Sequence, residues 1–163
     1  MSLTFRRLVD ADEPAVRGWL QAYLEEHVAW WLRARGIDAD AAALVAERGL
    51  VKRDWQELLV ARAADFVQVA ERDGEPVGIV RAALREDPYL GLDQGVLQWV
   101  AVAPAARGQG IGAELVARAL QWFDAHGVSA ELFVSAPNVA AVRAYERAGF
   151  RPADSRMLRP RQD

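Results

Sequence analysis

A chain of 163 residues is long enough to bury a real core within one domain, and 52% hydrophobic with 26% charged residues is the composition of an ordinary globular protein. The absence of cysteine excludes disulfides, thiol nucleophiles and cysteine metal sites together, and His27 and His126 stand far apart without ligand spacing, so no metal is expected. A net charge of −3 speaks against nucleic acid as the main partner; no apolar run approaches the roughly 18 residues of a membrane span, and the opening MSLTFRRLVDADEP carries charges where a signal peptide has its apolar centre, so a cytoplasmic, membrane-free protein is expected.

In chain order, LTFRRL (3–8) reads as a first strand, and DADEP supplies the acids and proline of a helix start. Val16, Leu20, Tyr23, Leu24, His27 and Trp31 then fall at helical spacing, with Gly36 as the stop. Residues 38–48 and 51–64 give two more helical pieces divided by Gly49, so a mainly helical block runs from about 12 to 64. DFVQVAERDGEPVGIVRAAL predicts two strands around an Asp73-Gly74 hairpin turn, DPYLGLDQG is turn-rich, and GVLQWVAVAP is a fourth strand closed by Pro104. A helix over about 110–126, a fifth strand AELFVSAP, a short helix from Asn138 to Gly149 and an irregular last strand FRPADSRML complete the order. The strand–helix–strand unit from 95 to 135 predicts a parallel pair and the hairpin an antiparallel one, hence a mixed α/β sheet with helices on its faces.

The chemistry concentrates in VAPAARGQGIGAELV (102–116), where Gly108, Gly110 and Gly112 alternate between a strand and a helix. Glycine lets backbone N–H groups approach a ligand, and the first N–H groups of a helix lack partners inside it and sit at the positive end of the helix dipole. The pattern predicts an anion site suited to phosphate, with the Arg107 guanidinium beside it. GQGIGA also fits the dinucleotide fingerprint, but Glu131, which has the spacing of the fingerprint's acid, opens its strand instead of closing it, and only about 30 residues follow. A triphosphate-binding loop is excluded because no Gly-Lys-Ser/Thr follows the glycines.

Two motifs carry a resemblance. VAPAARGQGIG is similar to the acyl-CoA-binding motif of the GNAT superfamily of N-acetyltransferases, through Val102, Pro104, Arg107, Gly108, Gly110, Ile111 and Gly112. NVAAVRAYERAGF resembles the family's second motif, through Asn138, Ala141, Tyr145, Glu146, Gly149 and Phe150. The resemblance extends over about 65–152 and implies a central mixed twisted sheet of about six to seven strands flanked by helices. It also implies one domain over 1–163, with a CoA-binding core at 65–152 and the block at 12–64 on the acceptor side. It implies acetyl-CoA as cosubstrate, its diphosphate on the N–H groups of Arg107, Gly108, Gln109, Gly110, Ile111 and Gly112. The pantetheine arm then lies between splayed fourth and fifth strands, paired with the backbone of Trp99, Val100, Ala101 and Val102. It makes Tyr145 the acid that protonates the CoA sulfur, whereas a ring that packs while its hydroxyl bonds backbone is the simpler reading. Asn138 is either a helix cap alone or a cap that also touches CoA.

Gln98 departs from the resemblance. It occupies the neighbourhood where many relatives carry a glutamate, and an amide cannot accept the amine's proton. A water chain, an acid elsewhere (Glu25, Glu26, Asp87 or Asp93), or loss of catalysis are the three consequences. His27 is a further candidate base, although it lies on the apolar side of its helix, where a packed histidine is more common, and His126 in a last helical turn is placed for its charge. Trp19, Tyr23, Trp30, Trp31, Trp55 and Tyr89 predict either an aromatic amine-binding cleft or core and dimer contacts. The expected function is therefore acetyl transfer to a primary amine of a small molecule, amino acid or peptide. A non-catalytic acyl-CoA-binding module and a dinucleotide-binding protein are the alternatives.

Overall fold

The computed structural model describes residues 2–160. Chain order is β1 (Leu3–Arg7), α1 (Glu13–Ala34), α2 (Ala41–Glu47), α3 (Leu50–Ala61), β2 (Phe66–Arg72), β3 (Glu75–Glu86), β4 (Asp93–Val102), α4 (Ile111–His126), β5 (Ala130–Glu131) and α5 (Val139–Arg147). Helix α1 buries Val16, Leu20, Leu24, His27 and Val28 along one stripe and stops at Gly36, which adopts a left-handed conformation. Asp40 caps α2 by accepting from the Ala42 and Ala43 N–H groups at 2.8 and 3.2 Å. At the β2–β3 turn both Asp73 (φ 53°) and Gly74 (φ 86°) have positive φ, the requirement of a type I′ hairpin and the reason that dipeptide marks one.

The strands form one five-stranded sheet in the order β1-β2-β3-β4-β5. The first four pair antiparallel, and β5 lies parallel to β4 with α4 as the crossover. One face carries α1–α3 over Val67, Val69 and Ile79; the other carries α4 over Ala70, Val80, Ala82 and Leu97. Gly95 lets α4 sit close to β4: a Cβ there would lie 2.3 Å from the Phe123 ring. At the opposite edge Arg6 clamps β1 to the start of α1, its Nη1 and Nη2 each donating to the Asp12 carboxylate at 2.8 Å, while Asp12 also accepts from the Val9 N–H. No helix among the described residues is long and apolar enough to cross a membrane.

The mixed α/β architecture, the hairpin and the parallel β4–β5 pair agree with the sequence reading, but the sheet has five strands where six to seven were expected. AELFVSAP holds strand geometry only at Ala130 and Glu131, and FRPADSRML has no regular structure over 151–158. The physical reason is the missing edge. Past Val96 the chain of β5 leaves β4, Phe133 is 90% exposed, and neither segment finds a backbone to pair with.

Candidate active site

The glycine loop opens with a short 3-10 turn at Pro104–Ala106 and leads into α4. Gly108 (φ 74°) and Gly110 (φ 82°) are left-handed, a conformation that costs an L side chain about 1–2 kcal/mol. Gly112 needs no such conformation; a Cβ there would merely touch Val102 at 3.5 Å. The first backbone bond into α4 runs from the Glu114 N–H to the Gly110 carbonyl at 3.1 Å. Among the described residues, the N–H groups from Gly108 to Ala113 find no protein acceptor, and Gly110 supplies no side-chain cap. A run of free donors at the positive end of a helix of 16 residues has the chemistry to receive an anion on main chain alone. Arg107 is exposed, and its Nε donates to the Val102 carbonyl at 3.2 Å.

The cradle stands at the end of a cleft that the sheet itself opens. β4 pairs with β5 only at Gly95 and Val96, whereas it stays paired with β3 up to Val102. From Leu97 to Val102 the other edge of β4 is therefore without a strand partner, and its backbone polar groups point into the gap. The register slips opposite Arg81 and Ala82, which pair with Trp99 and Leu97, so Gln98 is the extra residue of a β-bulge. The bulge puts Leu97 and Trp99, which would share a face in a regular strand, on opposite faces: Leu97 packs under α4, while Trp99 packs under α1. Gln98 itself is exposed.

On the far side of the gap, Asn138 caps α5 by accepting from the Ala141 N–H at 3.2 Å. Tyr145, two turns on, belongs to the same packed cluster as Val100, Val102 and Leu132, with its ring edge-on to Phe150. Its hydroxyl makes no hydrogen bond to protein among the described residues, so the simpler reading, a ring with its hydroxyl tied to backbone, finds no partner group. Burial, and then the nearby Tyr23 hydroxyl, push its pKa above the usual value for tyrosine, so the phenol keeps its proton at neutral pH.

The α1 side is built of side chains. The Tyr23 ring lies 4.9 Å from Trp99 and 3.7 Å from His27, which in turn meets Trp30 at 4.7 Å. His27 is 5% exposed and its Nδ1 lies 2.8 Å from the Tyr23 carbonyl, so Nδ1 carries the hydrogen and donates, leaving Nε2 a bare lone pair. Burial pushes its pKa down, and the ring is neutral at pH 7. The Tyr23 pKa is pushed up by burial and then by Asp54. Of the other aromatics, Trp55 is core, Trp19 packs against it, Trp31 is 45% exposed and Tyr89 stands out in solvent.

The four carboxylates differ in position. Asp87 shapes the β3–β4 turn, accepting from the Tyr89 and Leu90 N–H groups at 2.8 and 2.7 Å. Glu25 accepts from the Gln21 amide, Glu26 is exposed beside His27, and Asp93 is exposed at the start of β4. His126 is exposed, with Nδ1 2.7 Å from the Trp122 carbonyl. No group of three or more acidic, histidine or cysteine side chains among the described residues is arranged to hold a metal.

Sequence reasoning missed Arg72. Gly78 of β3 pairs with Val102, so the β2–β3 turn lies at the same end of the sheet as the glycine loop, and Arg72 Nη1 donates to Gln109 Oε1. Only the register brings these residues together; no spacing in the chain announces it.

This geometry can be set beside known proteins. The acetyltransferase (GNAT) family model matches residues 17–150. The chain belongs to the GNAT family. An uncharacterised N-acetyltransferase of Archaeoglobus fulgidus is 33% identical over 89% of this chain and 92% of its own length. A mycothiol acetyltransferase of Streptomyces griseus is 40% identical over 50% of this chain, a match that spans only 26% of that relative. Among solved structures, a GCN5-related N-acetyltransferase from Ralstonia eutropha JMP134 superposes with a TM-score of 0.70 and 25% identity over 98% of both chains.

Proposed function

We propose that this GNAT chain is an acetyl-CoA-dependent N-acetyltransferase that acetylates a primary amine of a small molecule, amino acid or peptide, working as one domain over residues 1–163. The observation that carries the proposal is the run of unpaired N–H groups from Gly108 to Ala113 at the mouth of the β4–β5 gap. Diphosphate is the anion that such a main-chain cradle fits, and the gap beside it is lined by free strand edge for an amide-bearing arm. The donor set therefore fits acetyl-CoA, which when bound supplies the thioester and its acetyl group.

The chain's own residues do the rest. The amides of Gly108, Gln109, Gly110, Ile111 and Gly112 hold the diphosphate; the Arg107 N–H, expected to join them, donates instead to the Pro104 carbonyl at 3.3 Å and is not free. The open edge of β4 from Trp99 to Val102 aligns the arm and presents N–H to the carbonyl oxygen as charge develops there. The amine nitrogen bonds to the carbonyl carbon, the C–S bond breaks, and Tyr145 gives its phenolic proton to the sulfur. The attacking nitrogen gives up a proton, which Gln98 has no basic atom to accept. Water or a group on the acceptor side takes it: Glu25, Glu26, Asp87, Asp93, or the bare Nε2 of His27. Alignment of the two reactants supplies much of the acceleration.

The test follows thiol release from acetyl-CoA against a panel of amines. Thiol release with at least one amine is expected. Tight CoA binding with no release from any amine replaces the proposal by a binding module, the reading that Gln98 motivates. Binding of NAD without CoA replaces it by a dinucleotide site, as GQGIGA suggests.

A further inference from the structure

Coenzyme A carries two anionic groups: the diphosphate and a separate phosphate on the ribose 3′ oxygen. Resting on the reading above, the glycine loop accounts for the first and leaves the second without a partner. Arg72 stands at the rim of that loop. Its guanidinium is tied to the loop by one hydrogen bond to Gln109 Oε1, and Gln109 is itself held by its Nε2, which donates to the Ala105 carbonyl at 3.2 Å. Gln109 is thus a bracket that fixes the arginine against the loop from outside.

The charge on Arg72 is uncompensated. It forms no ion pair among the described residues, although acids surround it in sequence. Glu71 is held by Arg6, and Glu75, its cross-strand partner, is exposed and does not reach it. Three other arginines on the sheet are neutralised: Arg6 by Asp12 and Glu71, Arg81 and Arg85 by Asp65. A guanidinium held by a neutral amide keeps its full charge and its remaining N–H donors for an incoming dianion. Arg107 points elsewhere, with its Nε turned back to the end of β4.

We propose that Arg72, braced by Gln109, binds the ribose 3′-phosphate of coenzyme A and so distinguishes it from its dephosphorylated form. Calorimetric titration of the wild-type chain, Arg72→Gln and Gln109→Ala with coenzyme A and with 3′-dephospho-coenzyme A tests this. Wild type is expected to bind coenzyme A about tenfold more tightly, the worth of a charge-assisted hydrogen bond at a partly exposed site. Arg72→Gln removes that preference and leaves affinity for the dephosphorylated compound within about twofold. Gln109→Ala, which frees the arginine, reduces the preference in part. Equal binding of the two compounds by wild type overturns the proposal, as does a variant that weakens both by the same factor. Failure of wild type to bind either compound overturns the acetyl-CoA reading as well, so the two failures are distinguishable.

Discussion

The two sides of the cleft are made from different material. On the α4 side the candidate site is main chain: free N–H groups at 108–113, left-handed glycines and an unpaired strand edge. On the α1 side it is side chain: Tyr23, His27, Trp30 and Trp99 in contact, with the His27 ring held by its hydrogen bond to the Tyr23 carbonyl. A main-chain cradle requires a fixed conformation and so fixes its sequence, because few residues tolerate positive φ at Gly108 and Gly110. A side-chain wall can be assembled from many sequences. The first suits a ligand that never changes, the second one that differs from one protein to the next.

The contrast predicts that side-chain and backbone changes fail differently. The largest effect is expected from Tyr145→Phe, which removes the phenolic proton and leaves the cradle intact. Turnover falls about 100-fold in a thiol-release assay while affinity for coenzyme A stays within about twofold. Equal losses in both would move Tyr145 from the chemistry to binding. Because burial raises its pKa, any alkaline decline in wild-type turnover from this group lies at higher pH than an ordinary tyrosine would give.

Next comes the clamp between β1 and α1. Asp12 is 2% exposed, and Arg6 raises no doubt about its charge: despite burial, the arginine's hydrogen bonds and the Val9 N–H hold the carboxyl below its ordinary range. Asp12→Ala leaves those donors unmatched and is expected to cost about 2–3 kcal/mol by urea denaturation. Unchanged stability would mean that α1 is seated by its apolar stripe alone.

Gly110→Ala acts through conformation, since a Cβ there meets nothing within 4 Å. It is expected to cost about 1–2 kcal/mol of stability and to weaken coenzyme A about tenfold, with the acceptor KM unchanged. A variant that bound coenzyme A as wild type does would show that the cradle tolerates rearrangement.

The smallest effect belongs to His27. Its folded pKa lies below the unfolded value of about 6.5 because burial disfavours the cation, with the hydrogen bond to the Tyr23 carbonyl and then Glu26 opposing the shift. The unfolded chain therefore binds more protons, and stability present above about pH 6.5 is lost as pH falls toward the folded pKa. Thermal unfolding of His27→Gln between pH 5 and 8 should show a flatter slope than wild type; identical slopes would place the acid sensitivity elsewhere.

What the sequence made legible follows the same division. The Asp73-Gly74 hairpin, the loop at 104–112 and the caps at Asn138 and Gly127 rest on local backbone rules, and each appears where its residues predict it. AELFVSAP carries the apolar run Leu132–Val134 of a strand, yet only Ala130 and Glu131 pair, because a strand also needs a neighbour and β4 diverges from it. The Gln98 bulge, the Tyr23–Trp99 contact and the Arg72–Gln109 bond depend on register, which local spacing does not encode.

The most direct test is to follow the backbone amide resonances of a 15N-labelled chain while coenzyme A is added. The account predicts that Gly108, Gln109, Gly110, Ile111 and Gly112 shift first and furthest, as hydrogen bonds form to N–H groups that have none in the free protein. Saturable binding that leaves those amides unmoved would contradict it.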